Sequence, residues 1–154
     1  MSAALLYRVA AVLLVLFAAG HQFGFRQVDP QWGVTPLLVG LKTTRFVVQG
    51  ATRTFWGFFS GLGFIVTTLY LFSAVLAWQV GGLPPATQRS LRLVLWAFAG
   101  CYVTIALLSW RYFFMVPQLL ASVVALCLIL AAWRGSGRRG TSACSGGHGG
   151  VTPA

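Results

Sequence analysis

Apolar positions along the chain gather into four long, nearly charge-free runs, without the short alternations of a half-buried sheet. The first is Val9 to Phe25. The second lies within Thr54 to Gln88, of which Thr54 to Val80 is apolar enough to span, and the third and fourth are Leu93 to Trp110 and Tyr112 to Trp133. A helix needs about 20 apolar residues to cross a hydrocarbon core, and backbone groups in lipid must be hydrogen-bonded within their own segment or a closed barrel. The pattern therefore predicts an all-α transmembrane four-helix bundle with spans at about 4–24, 54–80, 91–110 and 112–133.

The first run also has the outline of a cleaved signal peptide, with Arg8 as a thin basic region, Val9 to Ala19 as the apolar stretch and Ala18-Ala19-Gly20 near a cut site. Against cleavage, only one basic residue precedes the run, and its apolar character continues through Phe23 and Phe25. A retained span is expected, with Arg8 snorkelling to the nearer interface.

Between spans one and two, Asp29-Pro30 and Thr35-Pro36 punctuate the chain. From there Leu37, Leu38, Leu41 and Val48 fall near one helical face and Lys42, Arg45, Gln49 and Arg53 on another. This predicts an amphipathic interfacial helix over about 36–52, with Lys42 and Arg45 touching anionic headgroups. In "TFWGFFSGLGF", Gly57 and Gly61 form a small-xxx-small pair extended by Gly63, which predicts close helix packing; Phe55, Trp56, Phe58 and Phe59 form an aromatic belt. "GGLPPATQ" is a sharp turn, and "SWRYFFMVP" joins the last two spans as an antiparallel hairpin with Arg111 at its tip. Residues 134–154, rich in glycine and serine, are expected to be disordered, with Arg134, Arg138 and Arg139 as a stop-transfer cluster.

Composition agrees: of 154 residues, 58% are hydrophobic and only 8% charged, against roughly 25% charged in a soluble domain. The net charge is +10, with Asp29 the single acid. The basic residues sit singly between apolar runs, which points to an anionic lipid surface and away from nucleic acid. Arg8, Arg89, Arg92, Arg134, Arg138 and Arg139 lie on the side of the termini and Arg26, Lys42, Arg45, Arg53 and Arg111 on the other. The balance, with the tail cluster, places both termini in the cytoplasm of a bacterium, the chain being multi-pass in the inner membrane.

Four alternating spans bring His21, Gln22, Arg53, Ser60, Trp110, Arg111, Tyr112 and Gln118 to one membrane face. Ionisable groups near lipid are commonly paired or turned toward a cavity, so His21, Gln22, Arg53, Ser60, Arg111, Tyr112 and Gln118 form the candidate polar pocket. His21 is suited to proton transfer, Tyr112 to donating a hydroxyl, and Arg53 and Arg111 to holding an anionic or quinone-like oxygen. The same residue types also cap helix ends and bind headgroups. Asp29 is the one acid that any of these arginines has to pair with.

No cofactor is expected. The second histidine, His148, lies in the tail, so two-histidine haem ligation inside the membrane is excluded, and His21 with Met115 is unforced. Cys144 and His148 in "CSGGHGG" are too few ligands for a metal site, and one carboxylate excludes paired-carboxylate hydrolysis or a di-iron centre. Cys101 and Cys127 are small apolar fillers, without a C-x-x-C pair.

Together "GHQFG", "TRTFWGFFSGLGF", "LAWQVG" and "SWRYFFMVP" resemble a family of small bacterial four-span membrane proteins first named from a Leptospira sequence. The likeness covers about residues 5–133 and is carried mostly by Thr52–Phe64 and Trp110–Pro117. It implies a four-helix membrane bundle with a basic first connector and no settled activity. Members of that family often carry acids where this chain has Gly57 and Val47, and their loss lowers the expectation of acid–base chemistry. A remoter likeness to DoxX-like proteins rests on helix count. Two readings stay open: a non-enzymatic accessory, structural or lipophile-binding protein, with a membrane-protein partner or a second copy of itself; or a membrane-embedded enzyme or redox partner acting on a lipid or quinone-like substrate beside His21. A transporter ranks below both, for want of an inverted repeat.

Overall fold

The computed structural model describes residues 2–24 and 26–136. The chain runs through α1 (Ala3–Gly24), a 3-10 turn (Pro30–Trp32), α2 (Thr35–Thr43), β1 (Arg45–Val48), β2 (Ala51–Thr54), α3 (Phe55–Gly82), α4 (Pro85–Ser90), α5 (Arg92–Tyr112) and α6 (Met115–Ser136). The four predicted spans are α1, α3, α5 and α6, each long and apolar enough to cross a membrane. Of the stretch expected to be disordered from Arg134, residues 134–136 continue α6 as helix, and the rest, with Arg138, Arg139, Cys144 and His148, lies outside the described residues.

The central helix is α1, which packs on α3 and α6, while α5 packs on the outer side of α6. Of the α1 and α6 spans 39% is buried, against 11% for α3, so α3 gives most of its surface to lipid. On α1 the buried positions Leu6, Ala10, Leu14 and Phe17 recur every three or four residues, while Val12, Val15 and Leu16 face outward. They meet alanines: Ala74 and Ala77 of α3 and Ala121, Ala125 and Ala131 of α6 are all buried. Lipid tails are as apolar as these side chains, so close van der Waals contact between small residues holds such helices together.

The α1–α3 register is antiparallel and read from four contacts. A Cβ on Gly81 would stand 3.0 Å from the Ala4 carbonyl oxygen, the Arg8 guanidinium lies 5.4 Å from the Trp78 ring centroid, Phe17 stacks on Tyr70 at 4.5 Å, and His21 meets Thr67 at 3.0 Å. In this register Gly24, the last residue of α1, lies beside position 63 of α3. The eight residues Phe55–Leu62 therefore overhang the end of α1, by about 12 Å at 1.5 Å per residue.

The overhang corrects the packing expected of the glycines. Gly63 is buried at the end of the seam, but Gly57 and Gly61 lie beyond it. A Cβ at Gly61 would meet nothing within 4 Å, and one at Gly57 only Thr54 Oγ1, the cap of its own helix, at 3.4 Å. Within the described residues the close helix approach is made by Gly81.

The connector is also corrected. Its helix, α2, ends at Thr43, and the second half of the predicted 36–52 helix is a β-hairpin pairing Arg45 with Thr54 and Val48 with Ala51. Gln49 and Gly50 form its two-residue turn with φ of 49° and 80°, the doubly positive geometry of a type I′ hairpin turn. An isolated two-stranded hairpin is marginal in water, and this one is anchored by Phe46, whose ring lies 4.7 Å from that of Phe55 and 5.7 Å from that of Phe58 on the overhang. Thr54 ends β2 and caps α3, its hydroxyl accepting the Gly57 N–H at 3.1 Å.

Candidate functional site: a hydroxyl-centred cluster on the seam between α1 and α3

One turn before α1 ends, His21 and Gln22 converge on Thr67 of α3. Thr67 Oγ1 lies 3.0 Å from His21 Nδ1, 3.1 Å from Gln22 Oε1 and 3.0 Å from the Gly63 carbonyl oxygen. A hydroxyl has one proton, and Gln22 Oε1 and Gly63 O both stand in reach to accept it. With the proton given to either oxygen, His21 Nδ1 donates to Thr67 Oγ1; in the other tautomer Nδ1 accepts the Thr67 hydroxyl proton instead. The imidazole stands edge-on to Tyr70, with centroids 6.0 Å apart, and Tyr70 in turn stacks on Phe17. All of these polar groups are half-buried, at the level where α1 leaves the bundle.

The other residues of the expected pocket sit elsewhere, most of them with a local partner. Ser60 is seven residues, or about 10 Å, up the overhang from Thr67. Arg53 is exposed on β2, donating to the Thr52 carbonyl at 2.9 Å, and lines a separate 330 Å³ groove with Gly57, Gly61 and Ile65. Arg111 lies 5.2 Å from the centroid of the exposed Tyr112 ring at the α5–α6 tip. Gln118 Nε2 donates to the Phe113 carbonyl at 2.6 Å and so closes that tip, while the Trp110 indole N–H donates to Ser122 Oγ at 2.9 Å. Asp29 accepts the Gln31 N–H at 2.8 Å, which orders its own turn. Lys42 Nζ stands 4.7 Å from the Trp56 centroid, and Arg45 is exposed on β1. Among the described residues no group of three or more His, Cys, Asp or Glu gathers. Cys127 is buried in the core and Cys101 is exposed on α5.

Sequence reasoning missed Thr67, although its spacing from Tyr70 puts the two on one helical face. It also missed Tyr7, 1% exposed, whose hydroxyl has no hydrogen-bond partner among the described residues, and Gln88, 5% exposed.

The fold is all-helical in its long elements, and its four apolar helices are compatible with a multi-pass membrane protein. No known family, curated protein or solved structure matches the chain.

Proposed function

We propose that the protein is a non-enzymatic accessory or structural component of the bacterial inner membrane, with both termini in the cytoplasm. We place it in the Leptospira-named family that its motifs resemble. The observation that supports this reading is the convergence of His21 and Gln22 on Thr67, which pins α1 to α3 just where α3 begins its overhang. The partners that proton or quinone chemistry would need at His21 are employed elsewhere: Arg53 in its own groove, Arg111 at the hairpin tip and Asp29 in its turn. The overhang, with its hairpin and its glycine groove, is the surface offered to a membrane-protein partner, a second copy or a lipophile.

Thermal unfolding of the detergent-solubilised protein, with mass spectrometry of the lipophiles that co-purify, tests the pin. His21→Ala and Thr67→Val are each expected to lose about 1 kcal/mol of stability with their lipophile content unchanged. Loss of a lipophile from His21→Ala at unchanged stability would overturn the reading in favour of a substrate site.

A further inference from the structure

At the opposite end of the molecule from the hairpin, the start of α1, the α3–α4 turn and the end of α6 border an open hollow of about 630 Å³. Ala4, Gln88, Arg89, Trp133, Arg134 and Gly135 are on its wall. Gln88 gives the hollow a fixed polar floor. Its Nε2 donates to the Val80 carbonyl at 3.0 Å and to the Leu83 carbonyl at 3.1 Å, so both amide hydrogens are occupied in closing the end of α3. Its Oε1 is left as an acceptor, and it looks across at Gly135, where even a Cβ would come within 3.5 Å of it. The missing side chain keeps that oxygen reachable.

Among the described residues the charged side chains lining the hollow are of one sign. Arg89 and Arg134 line the hollow. The protein's single acid, Asp29, lies beyond the far end of α1, a helix about 33 Å long. Guanidinium groups bind phosphate diesters through charge-assisted hydrogen bonds, and two of them line this hollow. An anion alone would be repelled by Gln88 Oε1, so the group beside the phosphate must carry its own hydrogen donor. Trp133 beside the arginines marks headgroup depth, with the apolar flanks of α1 and α6 running inward from it for acyl chains.

We infer that this hollow is a headgroup site for an anionic phospholipid whose phosphate is followed by a hydroxyl donor, as in phosphatidylglycerol: the phosphate on Arg89 and Arg134, the hydroxyl on Gln88 Oε1. The site is at the far end of the bundle from His21, so it stands or falls apart from the function proposed above.

Native mass spectrometry of the full chain in detergent, with phosphatidylglycerol, phosphatidylcholine or glycerol phosphate added, tests the inference. Wild type is expected to retain phosphatidylglycerol over the other two. Arg89→Gln with Arg134→Gln should weaken retention by about tenfold or more, as loss of two charge-assisted contacts implies. Gly135→Leu, which fills the hollow at unchanged charge, should do the same, and Arg111→Gln, which removes a charge from the opposite face, should have no effect. Equal retention in Gly135→Leu, or an equal loss in Arg111→Gln, overturns the site. Binding of glycerol phosphate as tight as that of the lipid overturns the lipid assignment in favour of a soluble phosphate ester.

Discussion

At Gly81 a Cβ would press on the Ala4 carbonyl oxygen at 3.0 Å and on Tyr7 and Arg8 at 3.3 Å, whereas at Gly61 it would enter open space. The same substitution therefore has opposite signs at the two ends of α3. Gly81→Ala is expected to lose about 1–3 kcal/mol by overpacking, because the obstacle is backbone and has to move with its helix. Gly61→Ala is expected to be neutral, or to gain up to about 1 kcal/mol from helix propensity. Chemical unfolding of the two variants in the same detergent checks the pair, and equal losses would mean that the overhang is packed after all. The sequence marks both as glycines in one apolar run and cannot rank them, since the ranking depends on where α1 stops. Thr67 was hidden for a similar reason: its partner His21 is 46 positions away, and only the α1–α3 register brings them level.

Among the elements, the four spans were legible because span length is a one-dimensional property, set by bilayer thickness and read from charge-free runs. The hairpin was not, because Lys42, Arg45, Gln49 and Arg53 also fit three- and four-residue steps, and that periodicity masked a stronger local signal. Val47, Val48, Thr52 and Thr54 are β-branched and bracket Gln49-Gly50, a two-residue turn that only a glycine-tolerant backbone makes. With Gly50 at φ 80°, Gly50→Val should strain the turn by about 1–3 kcal/mol and open the hairpin while leaving the spans intact. Amide hydrogen exchange across Arg45–Thr54 is the readout: faster exchange there and unchanged exchange in α1 is expected, and unchanged protection of the strands would count against the turn. Phe46 joins hairpin and overhang, so loosening the turn should also free Phe55 and Phe58.

For the whole molecule, the arrangement separates two chemically different ends. One gathers α4 and the buried Gln88 beneath arginines, and the other carries α2, the hairpin and the start of α3. On the orientation proposed above, Gln31→Cys in a chain whose native cysteines are replaced by alanine should react with a membrane-impermeant maleimide in intact cells, and Ser2→Cys only after permeabilisation. The reverse pattern would invert the topology. The two ends also differ in how they meet the bilayer. Three of the long helices have 21 or 22 residues and α3 has 28, opening with the apolar "FWGFFSGL". A membrane matched to the three shorter helices is too thin for the fourth, and one matched to α3 is too thick for the rest. Unless α3 tilts or protrudes, the lipid annulus around this protein is deepest beside α3, and acyl-chain length is then expected to act on the overhang.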